Sequence, residues 1–156
     1  MYKVVIVDDE EAIIKGLELY IKTMNKGFSV VGMFNDGYSA VEFIKNNDVI
    51  FIDSGSTCYY VIDFIKAENI TVGTNGIAHI QKLMAKGINT YILGGYAKPD
   101  QNLIIGEDTE KKVSNMNFDV AFLGTMGIDK EAGFTTSLLI DGDVKRAVIK
   151  SSKECY

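Results

Sequence analysis

The sequence predicts an α/β domain of three layers, a mostly parallel sheet flanked by helices. Three observations carry that expectation. Strand-like and helix-like segments alternate from end to end with no linker between them. Residues 49–52 read VIFI, fully apolar, as a strand buried on both faces of a parallel sheet would be. A single proline, Pro99, stands against 15 glycines, a pairing that suits regular elements joined by tight turns. At 156 residues the chain has the size of one ordinary domain, and no shift in composition marks a boundary.

The elements follow in order. Residues 3–7 (KVVIV) form a short β-branched run that ends in Asp8-Asp9-Glu10-Glu11, where acids complement the dipole of a starting helix. Ala12, Ile13, Leu17, Tyr20, Ile21 and Met24 recur at helical spacing, and Asn25-Lys26-Gly27 stops the run. Strands are then expected at 28–34, 49–52, 70–72, 90–93 and 120–123. Helices are expected at 38–45, with Ala40, Val41 and Ile44 inward, and at 57–67, 76–86, 107–115 and 143–152.

Composition narrows the function. With 47% hydrophobic and 24% charged residues, disorder is excluded as a description of the chain. The net charge is −5 and no lysine- or arginine-rich run occurs, which argues against direct binding of nucleic acid. No apolar run approaches the ~20 residues of a membrane span, and the N-terminus enters a strand directly instead of resembling a signal peptide. Cys58 and Cys155 match no metal-ligand spacing, so a reducing cytoplasm is the expected location.

Ligands of open parallel sheets bind beyond the carboxyl ends of the strands. Here those ends read Asp8-Asp9, then Asp53-Ser54-Gly55-Ser56-Thr57, Gly73-Thr74-Asn75-Gly76, Gly94-Gly95, and Gly124-Thr125-Met126-Gly127-Ile128-Asp129. The loop at 53–57 is the sharpest signal. A glycine among hydroxyls between strand and helix can aim N–H groups at an anion, or it can simply precede a helix capped by Ser56 or Thr57. The loop has neither the Walker lysine nor a GxGxxG, so a nucleotide is not implied. Lys145 can supply a cation or sit solvated on a helix. His79 reads as a packed or exposed side chain. Cys58, with no partnered histidine, reads as a small core residue.

Two resemblances meet in these motifs. Residues 1–47 resemble the front half of a two-component receiver domain, through KVVIV-Asp8-Asp9-Glu10, the helix after it and VVGMFNDGYSAVEFI. That resemblance implies Mg²⁺ held by Asp8, Asp9 and Asp53, with Asp53 as phospho-acceptor. Thr74 and Lys98-Pro99 echo its later residues, whereas Ser-Gly-Ser-Thr-Cys after Asp53 departs from its pattern. Residues 38–156 resemble the C-terminal effector domain of DeoR-type transcriptional regulators, through DVIFIDSGST, TVGTNG, INTYILGG, NFDVAFLGTMGID, GFTTS and DVKRAVIKSSKE in that order.

The second resemblance implies a Rossmann-like fold shared with ribose-5-phosphate isomerase and CoA transferases, and a pocket for a phosphorylated sugar or similar small anion. The phosphate would rest on Ser54, Gly55, Ser56 and Thr57 beside Asp53, with Thr74, Asn75, Gly94, Gly95, Gly127, Asp129 and Lys145 lining the sugar pocket. A DeoR-type regulator starts with a helix-turn-helix that is not in this sequence, and its pattern runs on past Tyr156. The expectation is one hybrid domain joined near residues 38–53, its flavodoxin-like β-α-β start lying in the same sheet as 49–52. It would bind an effector without catalysis and without a cofactor. The rival readings are a Mg²⁺-dependent phospho-acceptor, a sugar-phosphate isomerase using Lys145 and Asp129, and a chimeric fold with no retained function. The sugar and any homo-oligomeric state stay open.

Overall fold

The computed structural model describes residues 2–8, 10–24, 27–35 and 41–156. Its centre is a five-stranded, wholly parallel sheet: β3 (Val49–Ile52), β4 (Thr71–Thr74), β5 (Asn89–Ile92), β8 (Phe118–Phe122) and β11 (Ser152–Cys155), in the order β11-β8-β3-β4-β5. The chain steps outward from β3 to β4 and β5 through α2 (Ser56–Phe64) and α3 (Ile77–Ala85). It then returns to the other side of β3, where α5 (Leu139–Lys150) links β8 to β11. The direction of winding therefore reverses between β3 and β8, the place where such sheets open a crevice.

Alternation along the strands builds a core on each face. Ile50, Ile52, Val120 and Phe122 pack with Cys58 and Ile62 of α2 and Leu83 of α3. Phe51 and Ala121 point the other way, onto Val144, Ala147 and Val148 of α5 and onto Val113 of α4 (Glu107–Ser114). VIFI is apolar throughout because both faces are covered: Ile50, Phe51 and Ile52 are all fully buried.

The expected merger of the N-terminal β-α-β with this sheet is not what forms. β1 (Tyr2–Val7) pairs with β2 (Phe28–Phe34) in a separate two-stranded parallel sheet, with α1 (Glu11–Met24) as the crossover. Both neighbours of β3 are taken, by β4 and β8, while among the described residues the outer edges of β11 and β5 are free and β1 pairs with neither. The small unit has its own cluster of Ile6, Ile14, Ile21 and Met24, and it packs on the β9–β10 hairpin (Gly127–Asp129, Gly133–Thr135) through Ile128 and Phe134. Phe28 meets Phe134 edge to face, 4.9 Å between ring centroids. The buried face of α1 is also rotated from the expected one: Ile14 is buried while Ile13 and Tyr20 are exposed.

Other expectations shift at element ends. Of the helix expected at 38–45, only a 3-10 turn at Val41–Phe43 forms within the described residues, and 36–40 lie outside them. Two hairpins were unsignalled, β6 (Tyr96–Lys98) with β7 (Leu103–Ile105) and β9 with β10, because three-residue strands are too short to show a period. The last helix runs Leu139–Lys150 instead of 143–152, and it is followed by a strand that was not expected, Ser152–Cys155. Among the described residues no helix is long and apolar enough to cross a membrane.

Candidate functional site

The carboxyl ends of β3, β4 and β8 converge at the reversal point. Asp53, directly after β3 and only 1% exposed, uses both carboxylate oxygens there. Oδ1 accepts the N–H of Ser54 at 2.9 Å, and Oδ2 accepts the N–H of Gly124, beyond β8, at 2.9 Å. The ammonium of Lys145, from α5, donates to the same Oδ2 and lies 3.4 Å from Oδ2 of Asp141, one helical turn earlier. Thr136 in turn donates its hydroxyl to Asp141 at 2.7 Å. Burial pulls the Lys145 pKa down, but the two carboxylates outweigh it and the net shift is upward, so the amine stays charged.

Helix α2 opens directly above Asp53. Its N-cap is Gly55, in an extended conformation (φ −62°), and no side chain caps the first turn. The expected alternative, capping by Ser56 or Thr57, does not form: both are the first residues of the helix and are exposed. The amide ends of that turn carry roughly half a positive charge facing the rim. A cleft of about 360 Å³ adjoins it, lined by Ser54, Ser56, Tyr59, Tyr60, Ala78, His79, Gln101 and Asn102.

The remaining sequence-derived candidates separate. Thr74 spends its hydroxyl on structure, donating to the Ile52 carbonyl at 2.6 Å and accepting from Gly76 N–H at 3.1 Å. Asn75 is fully buried, and neither polar atom of its carboxamide meets a hydrogen-bond partner. Gly94 accepts from Thr109 through its carbonyl, while Gly95, at φ +142°, is pinched against Ile105 and Thr109. Gly127 and Asp129 belong to the β9–β10 hairpin, where Asp129 Oδ1 accepts the N–H groups of Glu131 and Ala132. Asp141 and Thr136 were missed, and Gly124 was read only as part of the loop after residues 120–123, with no contact assigned to it. The (i, i+4) spacing of Asp141 and Lys145 was a usable signal, hidden by an expected helix start at 143.

The receiver geometry is absent among the described residues. Asp8 ends β1 in the small sheet and Asp53 ends β3 in the large one, so their strand ends are not neighbours in one sheet; Asp9 lies outside the described residues. Lys98 pairs with Asp100 in the turn after β6, not with Asp53. No group of three or more His, Cys, Asp or Glu side chains among the described residues is arranged to hold a metal. Asp53 is paired instead to Lys145.

Cys58 lies beside this network, and burial together with the Asp53 charge pushes its thiol up to about 12. Native Cys58 is therefore expected to resist iodoacetamide at pH 8 and to react only on unfolding. Intact-mass analysis checks this, and rapid native modification of Cys58 would contradict the closed packing around it.

Residues 37–156 match the model of the DeoR C-terminal sensor domain, over three quarters of the chain. The chain belongs to that family. Among its relatives, an uncharacterized HTH-type transcriptional regulator, FruR of Bacillus subtilis, is 40% identical over 75% of this chain and 47% of its own length. The HTH-type transcriptional regulator IolR of the same organism is 32% identical over 75% of this chain and 47% of its own. The sensor domain thus spans about half the length of the curated relatives it matches. Among solved structures, ribose 5-phosphate isomerase from Plasmodium falciparum superposes with a TM-score of 0.50 at 22% identity, covering 76% of this chain and 46% of that one. That likeness establishes the Rossmann-like, isomerase-type fold of the DeoR sensor. The family match starts at residue 37, so the β1-α1-β2 unit lies outside it, and the expected receiver fusion gains no support.

Proposed function

We propose that this sensor domain binds a phosphorylated sugar or a similar small anion at the carboxyl edge of the five-stranded sheet, as the effector step of a transcriptional regulator. The observation that carries the reading is the uncapped first turn of α2, open above a buried, fully engaged Asp53 and beside a cleft of ligand size. Lys145 is already neutralised by Asp53 and Asp141, so the phosphate charge is met mainly by the amides of residues 55–58. The role of Lys145 is then to hold the loop after β3 in place through Asp53. The same pairing speaks for binding over catalysis, since an amine kept as ammonium is a poor base.

A ligand that binds only the native state stabilises it by about 2.7 kcal/mol at 100 times its Kd. For a domain of this size that is a rise in Tm of about 5–10 °C. A panel of hexose and pentose phosphates should contain at least one such ligand, with the unphosphorylated sugar and sulfate, at matched ionic strength, far behind. Gly55→Val tests the position: a Cβ at Gly55 meets nothing within 4 Å and the backbone there suits any residue, so the fold tolerates it. The added side chain stands in front of the helix amides and should abolish the response. If no sugar phosphate exceeds sulfate, or if Gly55→Val responds like the parent, the site is not an anion sensor.

A further inference from the structure

We propose that His79 is a specificity-determining residue of this cleft, its imidazole hydrogen-bonding a hydroxyl group of the bound sugar and not the phosphate. The inference rests on the effector reading above. His79 stands in the first turn of α3 and lines the cleft together with Ser54 and Ser56, so a ligand with its phosphate on the loop at 54–57 has its sugar against the ring. The side chain is 2% exposed; the Gly55 carbonyl is within reach of the ring N–H, and the second ring nitrogen has no hydrogen-bond partner. Buried polar atoms left unpaired are rare because they cost stability, and a group that waits for a ligand is one reason they persist.

The ring is also held in place. It packs so closely on Gly76 that a Cβ there would lie 2.3 Å from Nδ1, and Tyr59 meets it edge to face with centroids 5.4 Å apart. Burial lowers the imidazole pKa, and the Gly55 carbonyl and Asp53 offset this only in part, which keeps the ring neutral near pH 7. A neutral imidazole has one donor and one acceptor, and with the N–H facing the Gly55 carbonyl the acceptor nitrogen is left for the ligand. That matches a hydroxyl, which can donate to it, and it suits poorly a phosphate dianion, which only accepts.

His79 is the only histidine in the chain, so its ring nitrogens give unambiguous signals in ¹⁵N NMR of the full protein. Titration with the hexose phosphate that best stabilises the wild type should shift those signals, and inorganic phosphate should leave them in place. His79→Leu should keep its affinity for inorganic phosphate and lose about tenfold for the hexose phosphate, with His79→Gln recovering part of the loss. Without ligand, His79→Leu should melt at or above the wild-type temperature, because an unpaired polar group is removed. A hexose phosphate that binds without moving the His79 signals, or an unchanged affinity ratio in His79→Leu, overturns the inference while leaving anion sensing intact. A wild type that binds no hexose phosphate better than inorganic phosphate overturns both readings. A ligand-free His79→Leu that melts several degrees lower assigns the ring to structure.

Discussion

Lys145→Met is expected to lower stability by about 3–5 kcal/mol, the usual cost of removing one partner from a buried ion pair. Asp53 is 1% exposed and Asp141 5%, so without the ammonium two carboxylates are left in the interior with only neutral donors around them. At about 2–4 °C per kcal/mol the loss in Tm is on the order of 10 °C. Adding Asp53→Asn to Lys145→Met removes one stranded charge, so the double variant should be less destabilised than the sum of the singles. The pH dependence has a definite sign. Because the Lys145 pKa is raised on folding, the pair contributes in full below about pH 10.4, the ordinary lysine value. Its contribution fades as the pH climbs through the higher folded-state value. The gap between wild type and Lys145→Met should accordingly be constant from pH 7 to 9 and narrow above pH 10.5. Chemical denaturation across that range measures it, and a gap under 1 kcal/mol at pH 7 would show that the network does not hold the reversal point together.

Gly95→Ala should cost about 2–4 kcal/mol. Its φ of +142° lies where only glycine is at ease, which alone is worth about 1–3 kcal/mol. An added Cβ would sit 2.7 Å from the Ile105 carbonyl oxygen and 2.4 Å from the Thr109 hydroxyl. Relief means moving Thr109, which donates to Gly94, at a further cost of about 1 kcal/mol. Gly94→Ala is the control, since a Cβ there meets nothing within 4 Å and the change should stay within about 0.5 kcal/mol of the parent. Equal melting temperatures for the two variants would remove the distinction between a structural and a free glycine.

That glycine pair shows how far the sequence reaches. Gly94-Gly95 marks a turn at a strand's end, yet nothing local says that the second glycine is wedged against Ile105, ten residues on at the end of the hairpin that follows. The same holds for Asp53. Its place at the end of an apolar strand was legible, because VIFI followed by Asp-Ser-Gly-Ser-Thr is a strand, a turn and a helix start in one stretch. What its oxygens bind was not, since Gly124 and Lys145 lie 71 and 92 residues away. His79 reads as ordinary on its helix, and only the packing of α2 beside α3 makes it a buried polar group at a cleft.

By itself the sequence determined the layered α/β class, four of the five strands and most of the helices of the main sheet, and the loops at its carboxyl edge, because these follow from periodicity and turn chemistry over a few residues. The tertiary structure alone decided strand order. KVVIV has a strand's pattern whether it joins the central sheet or pairs only with β2, and nothing in the run itself selects between them. Among the described residues the outer edges of β11 and β5 are left unpaired, yet β1 pairs only with β2, and the N-terminal unit packs its apolar face on the β9–β10 hairpin. That one outcome separates Asp8 from Asp53 and leaves Asp53 to pair with Lys145. Local pattern sets what each segment is, and long-range packing sets which side chains meet.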